Sequence, residues 1–465
     1  MTTGFSSLKK QLYSLLILAA PVIAMQSSQM AMGVVDTIMS GHASAADLAA
    51  VAVGSSIWIP LVLLIGGILA AITPTVAHYC GAQKYANIGH TIRQSIWIGL
   101  GLSLLGIISL FSIHDLFVFM AVDASILPIA TRYLQAIAWG MPAIVGFFIL
   151  RYLNEGMTNI VPIMLIGFLG LGINIISNYI LIFGHFGAPA LGGEGAGWAT
   201  TITHWFMLSC VFIYILKSKK FVPIKLIQAD LSPHIDELWT LIKLGVPIGI
   251  AFFVEGSIFS IIALFLASMG VVTVAAHQIA LSFSSLIFIL PLSLSISLTI
   301  QVGHRIGARQ IQAARDTIKA GYLVSITVSV IAALLIVNFA ADIAALYTAN
   351  SEIIELASTL MIFTAMYQFS DGIQLCSGGA LRGMKDTAIP MVLSIISYWV
   401  IGFPLGYILA LTDIISAPMG AKGFWIGLLI GLSMSAVFLT FRVYSRSEIK
   451  RLECTIKPPL PVERE

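Results

Sequence analysis

Long apolar runs, parted by short clusters of charge, leave this chain one solvent to fold in. Each run is roughly 20–28 residues, enough for a helix to cross a hydrocarbon core of about 30 Å. The expected span cores in the first half are 12–39, 48–77, 94–113, 129–150, 160–183 and 196–216. In the second half they are 241–268, 273–302, 318–339, 353–377, 389–411 and 422–443. Composition agrees, because 465 residues that are 58% hydrophobic and 10% charged cannot cover a soluble surface of this size.

The chain also contains itself twice. Sliding the sequence by 226 residues puts Pro21 on Pro247, Ala49–Ala50 on Ala275–Ala276, His78 on His304 and Gly81–Ala82 on Gly307–Ala308. Thr91, Ile92 and Arg93 then fall on Thr317, Ile318 and Lys319 without a gap. In so apolar a chain, such a repeat is the build of a secondary transporter whose halves rock about a site between them. A channel suits a fixed pore better than two such bundles.

Charge sets the orientation. With the N-terminus inside, all of the 24 Lys and Arg except Arg132 and Lys422 fall on the cytoplasmic side. Both termini are therefore expected inside. The halves enter from the same side, which makes the repeat parallel about an axis along the membrane normal. The expected fold class is an all-α polytopic membrane protein, twelve transmembrane helices in two pseudo-symmetric six-helix bundles with a central cleft. The expected divisions are an N-terminal bundle 1–216, a cytoplasmic linker 217–240, a C-terminal bundle 241–443 and a cytoplasmic tail 444–465. Lys9–Lys10 precede an apolar run too long for a signal peptide, so a retained first helix is expected.

Several function classes drop out. The net charge of +3 comes from basic loops and is no nucleic-acid footprint. Cys80, Cys210, Cys376 and Cys454 lie far apart, in no metal-ligand spacing, and imply no disulfide. The glycine-rich stretch 192–197 lacks the following Lys-Ser/Thr of a phosphate loop, and no Walker, Ser-His-Asp or HExxH pattern occurs. No enzyme activity and no cofactor are expected.

The polar residues inside spans are few enough to read one by one. Three carboxylates stand clearly within spans: Asp36, Glu255 and Asp371. With no Lys or Arg expected at their depth, each must be protonated, hold a cation, or bond to a neighbouring helix. Tyr367 and Asp371 are four apart, as are Asn174 and Asn178, so each pair shares a helix face. Asn174, Asn178 and Thr200 fall at the depth of Asp36. Amide, hydroxyl and carboxylate oxygens suit a hard cation such as Na⁺, while the same asparagines equally suit interhelical hydrogen bonding. Pro21 and Pro247 interrupt matching spans and mark expected hinges. Met32, Phe259, Gln278, Phe283 and Phe288 are candidates for a greasy substrate cavity, with packing as the rival reading. His204 and His277, near span ends, read as hydrogen-bonded interfacial histidines.

Several segments carry a family resemblance: Val-Asp-Thr-Ile-Met (35–39), the loop 184–193, Val-Ala-Ala-His-Gln-Ile-Ala (274–280), Leu-Arg-Gly-Met-Lys-Asp-Thr (381–387) and Gly-Ala-Lys-Gly-Phe-Trp (420–425). They resemble the MATE (multidrug and toxic compound extrusion) family, in its bacterial NorM branch. The resemblance implies efflux of cationic and amphipathic drugs and dyes in exchange for Na⁺ or H⁺, with a bacterial inner-membrane location and no second subunit. It implies an N-terminal cation site at Asp36, Asn174, Asn178 and Thr200, and a C-terminal one at Glu255, Tyr367 and Asp371, with Na⁺ expected at the three acids. The seventh-span acid sits in Val-Glu-Gly-Ser (254–257), where the family pattern would be Phe-Glu-Val-Thr. The alternative reading is a flippase for lipid-linked precursors or amphipathic lipids; for the precursors it predicts basic residues deep in the spans to hold phosphates.

Overall fold

The computed structural model describes residues 2–119, 123–226, 232–267, 269–415 and 417–447. Part of the expected linker, nearly all of the expected tail and Cys454 lie outside these residues. So do the tail cations Lys450, Arg451, Lys457 and Arg464. Among the described residues every regular element is helical. The first half holds α1 (Leu8–Ala43), α2 (Ala45–Gly81), α3 (Tyr85–Phe111), α4, α5 (Ile160–Phe183) and α6 (Gly193–Lys217). The second holds α7 (Ile235–Leu266), α8 (Val271–Gly307), α9 (Ile311–Ala345), α10 (Ser351–Gly383), α11 (Ala388–Leu411) and α12 (Ala421–Arg446). The fourth span, α4, is a bent pair, Leu127–Ala138 and Met141–Gly156, turned by 48°. Gly140 and Pro142 place the bend, since neither supports an unbroken hydrogen-bond ladder. The expected core 129–150 therefore ends too early: the second piece carries Arg151 and Glu155 into the fold.

Proline sets the other interruptions. α2 breaks after Leu69, where Pro74 has no N–H to give. α11 widens into a π segment at Ile396–Gly402, just ahead of Pro404. Pro21 and Pro247 instead lie inside continuous helices. Large apolar side chains such as Leu104, Leu169, Leu264 and Val337 are exposed on the outer faces, as contact with lipid requires.

Each half has its own core. Val22, Met25, Tyr133 and Phe147 pack in the first, while Tyr367, Tyr398 and Trp425 pack in the second. A third cluster ties them together, setting Leu15 of α1 among Leu298, Val302 and Leu381 of the second half.

The repeat is written into the backbone where the halves touch. Gln83 and Arg309, a repeat pair, both turn left-handed (φ 57° and 59°) to end α2 and α8. A Cβ on Gly81 would overlap the carbonyl oxygen of His304, and one on Gly307 would overlap that of His78. Two helix ends thus cross backbone to backbone, each supplying glycine where the other presents a histidine carbonyl. Only glycine allows so close an approach. His78 Nε2 also lies 2.7 Å from the carbonyl oxygen of Gly383, and Lys385 Nζ sits 5.7 Å from the centroid of the Tyr79 ring. At the same end His90 Nε2 stands 3.1 Å from Glu237. The halves are clamped at the end bearing the turns at 83 and 309, with a cavity between them deeper in.

Candidate functional site

The first candidate group is a cage within the N-terminal bundle. Asp36 on α1 is 8% exposed and accepts three hydrogen bonds from two other helices. Asn178 Nδ2 and Asn174 Nδ2 donate to Oδ1 at 2.6 and 3.0 Å, and Thr200 Oγ1 donates to Oδ2 at 3.1 Å. The four-residue spacing on α5 is what aims both amides at one carboxylate. The amide oxygens of Asn174 and Asn178 are buried without a partner, so the cage holds oxygen acceptors with nothing to accept. Among the described residues the hydrogen bonds to the acid come from neutral donors.

The second group lines a cavity of about 540 Å³ between the bundles, a size that suits a drug-like ligand. Glu255, Tyr367 and Asp371 all reach it. Glu255 Oε1 accepts from Gln374 Nε2 at 2.9 Å and lies 3.4 Å from the Tyr398 hydroxyl, which bonds Gln374 Oε1 at 2.7 Å. The Tyr367 hydroxyl is paired with Ser284 Oγ. Asp371 is 4% exposed. The two groups do not share the cavity: Asp36 is not among its lining residues, and α1 links them by carrying both Asp36 and the cavity-lining Gln26 and Gln29.

Of the five cavity candidates, Phe259 and Phe288 line this space, joined by Phe252. Met32 packs into the first-half core, Phe283 against the second-half core, and Gln278 is exposed. His277 and His204 are indeed hydrogen-bonded, to Trp425 Nε1 at 3.2 Å and to the Thr200 carbonyl at 2.8 Å, though His277 is wholly buried.

The expectation that no Lys or Arg stands at the depth of the acids needs correcting. Arg151 and Arg382 both line the cavity, and so does Glu155, a buried carboxylate that the sequence reading passed over. Arg151 Nε donates to Glu155 Oε1 at 2.7 Å, Nη1 to Gln29 Oε1 at 3.1 Å and Nη2 to Gln26 Oε1 at 2.9 Å. Thr73 Oγ1 stands 3.4 Å from the other carboxylate oxygen of Glu155. The i,i+4 spacing of Arg151 and Glu155 was the available signal. Breaking a buried pair from one side leaves a bare charge, so Arg151→Met should cost about 3 kcal/mol or more, while Arg151→Met with Glu155→Leu should recover most of it. Thermal unfolding of the purified variants checks this, and equal stability of the single variant and wild type would refute it.

Two bundles related by sequence repeat, with a drug-sized cavity between them and buried carboxylates on both sides, define the class of secondary membrane transporters. The MatE family profile matches residues 21–180 and 247–408, so its two matches begin on the proline pair that the repeat superposes. A relative named Multidrug resistance protein MdtK, from Yersinia pseudotuberculosis serotype O:1b (strain IP 31758), is 43% identical over 431 residues, covering 92% of this chain and 94% of its own length. Its namesake from Yersinia pestis (strain Pestoides F) shows the same 43% identity and coverage. Among solved structures, the eukaryotic MATE transporter AtDTX14 superposes with TM-score 0.84 at 20% identity, covering 94% of this chain and 96% of that one. An outward-facing conformation of a multidrug resistance MATE family transporter of the MOP superfamily does so with TM-score 0.84 at 20% identity, covering 96% and 97%. The chain belongs to the MATE family of transporters and is not an enzyme.

Proposed function

We propose that this protein is a cation-coupled multidrug antiporter of the bacterial inner membrane, exporting cationic and amphipathic drugs by alternating access. The observation that carries the reading is the caged Asp36, a buried carboxylate served by neutral donors and flanked by unpartnered amide oxygens. Such a group must take up a cation or a proton to be at ease in the bilayer. The relatives' printed name supplies the drug side of the exchange.

The cycle follows from linkage. With the clamped end shut, Na⁺ or H⁺ enters from the open side and occupies Asp36 and the pair Glu255 and Asp371. A cationic drug in the cavity then loses the carboxylates that held it and leaves. The loaded protein opens its other end, releases the cation inside and takes up new drug. Only ligands that favour different states, or compete for one carboxylate, shift such an equilibrium. Pro21 and Pro247 serve as bending points, and α1 carries the state of Asp36 to Gln26 and Gln29 on the cavity wall. The protein works as a monomer with both termini in the cytoplasm and needs no cofactor.

The flippase reading draws on Arg151 and Arg382 in the cavity. Arg151, however, is already consumed by Glu155 and two glutamines, which leaves one guanidinium, too little for a pyrophosphate. Cells stripped of their own pumps and expressing this chain should accumulate several-fold less ethidium than cells with an empty vector. Equal accumulation in the two would overturn the export reading.

A further inference from the structure

We infer that the strap joining the two halves, with the first turns of α7, forms a binding face for anionic lipid headgroups at the clamped end of the molecule. α6 ends at Lys217, and a 3-10 turn, Lys219–Ile224, follows it. Phe221 and Ile224 bury their side chains in the first-half core, and Gly89 of α3 leaves room for the Ile224 carbonyl. Lys225 then turns left-handed (φ 52°), and Arg93 Nη1 donates to its carbonyl oxygen at 3.2 Å. Gln94 holds the chain where it approaches α7: Nε2 donates to the Ser232 carbonyl, and Oε1 accepts from the His234 backbone N–H, both at 2.9 Å. His90, against Glu237, completes the set. Strap and α7 are thus both fastened to residues 89–94 of α3, so the side chains they turn outward are held in place.

Those side chains are basic and apolar together. Lys217, Lys219, Lys220, Lys225 and Lys243 are all exposed, and none stands in an ion pair among the described residues. Lys220 Nζ has only the neutral Asn159 Oδ1, at 3.1 Å. Beside them Val222, Ile235 and Trp239 are 71%, 80% and 65% exposed, so no other part of the protein covers them. Ile235, Trp239 and Lys243 follow at steps of four and share one face of α7. α7 runs 32 residues, about 48 Å, which exceeds a 30 Å hydrocarbon core by roughly 18 Å. Its first turns therefore stand at headgroup level, where a tryptophan ring is at home. Helical side chains lean toward the N-terminus, so Lys243 reaches back from deeper in the bilayer to the level of Trp239. Acyl chains cover the apolar residues, and clustered lysines beside a span select an anionic headgroup. Two acids on the same turns oppose it. Glu237 is engaged by His90, and Asp236 lies in the first turn of α7, farther from the bilayer than Lys243.

The test is quenching of Trp239 fluorescence by lipids with brominated acyl chains. The full chain is reconstituted in phosphatidylcholine bilayers holding an equal fraction of brominated phosphatidylglycerol or brominated phosphatidylcholine. The chain has eight tryptophans, so the Trp239 signal is read as the difference from Trp239→Phe. Brominated phosphatidylglycerol should quench that signal roughly threefold more than brominated phosphatidylcholine. Replacing Lys217, Lys219, Lys225 and Lys243 together by Gln should abolish the preference. Lys9→Gln with Lys10→Gln, exposed cations at the start of α1, should leave it intact. Equal quenching by the two lipids would mean that the face lies in the bilayer without choosing a headgroup, and the site falls. It falls also if neither lipid quenches Trp239, or if the preference survives in the fourfold variant. Loss of the preference in the Lys9 and Lys10 variant to the same degree would assign it to the overall charge of the molecule and overturn the site. The readout does not involve transport, so it stands or fails independently of the efflux reading.

Discussion

Asp36→Asn should lower dye efflux at least tenfold while leaving the protein folded and inserted. Asparagine keeps the size of the side chain and an acceptor oxygen for Asn174 and Asn178, so stability should change by no more than about 1 kcal/mol. What it cannot keep is the charge change. An amide neither takes up a proton nor offers a full negative charge to Na⁺, so the cage stays in one state whatever the cation concentration. Asp371→Asn should act in the same direction from the cavity side. Ethidium efflux set beside thermal unfolding separates loss of coupling from loss of fold. Normal pumping by both variants would rule out a carboxylate mechanism.

The second large effect is conformational. Gly81→Val or Gly307→Val puts a branched side chain where the crossing helices already touch through their backbones. Neither carbonyl can swing aside as a flexible side chain would, so the helix ends must part. Overpacking of this kind costs about 1–3 kcal/mol. In a two-state transporter that cost falls on the clamped state alone. At about 2 kcal/mol it shifts the balance toward the opposite-facing state by roughly 30-fold. Spin labels at the exposed positions His42 and Asn350, at the ends of α1 and α10 away from the clamp, should move closer in either variant. An unchanged distance would mean that the crossing does not gate the cavity.

How much of this was legible follows from what periodicity and charge can carry. The spans stood out because hydrocarbon demands long unbroken apolar runs, and the repeat because whole helix ends, including the Gly81 and Gly307 crossing, obey the same backbone geometry. The Asp36 group was legible for a similar reason: polar side chains in lipid-spanning helices have few places to go, and the four-residue step on α5 fixed their common face. The cavity wall was not. Arg151 reads as a loop charge until the bend at Gly140 and the length of α4 carry it inward, where Gln26 and Gln29 of α1 meet it. Arg382 sits near a span end in sequence, and only the packing of α10 on α8 turns it toward the cavity. Met32, Phe283 and Gln278 show the converse limit. An aromatic or Met on a span announces burial or lipid contact, but which of its neighbours closes over it is decided by helix packing that no single helix encodes.

The most direct test of cation-for-drug exchange is to load proteoliposomes with ethidium and follow its movement as Na⁺ pulses and acid pulses are applied at a clamped membrane potential. Ethidium should move against the pulsed cation, after Na⁺ if the oxygen-rich sites hold a metal ion, or after acid alone if the same carboxylates carry protons. Ethidium that stays in place through both pulses would contradict coupled exchange and return the cavity to the flippase reading.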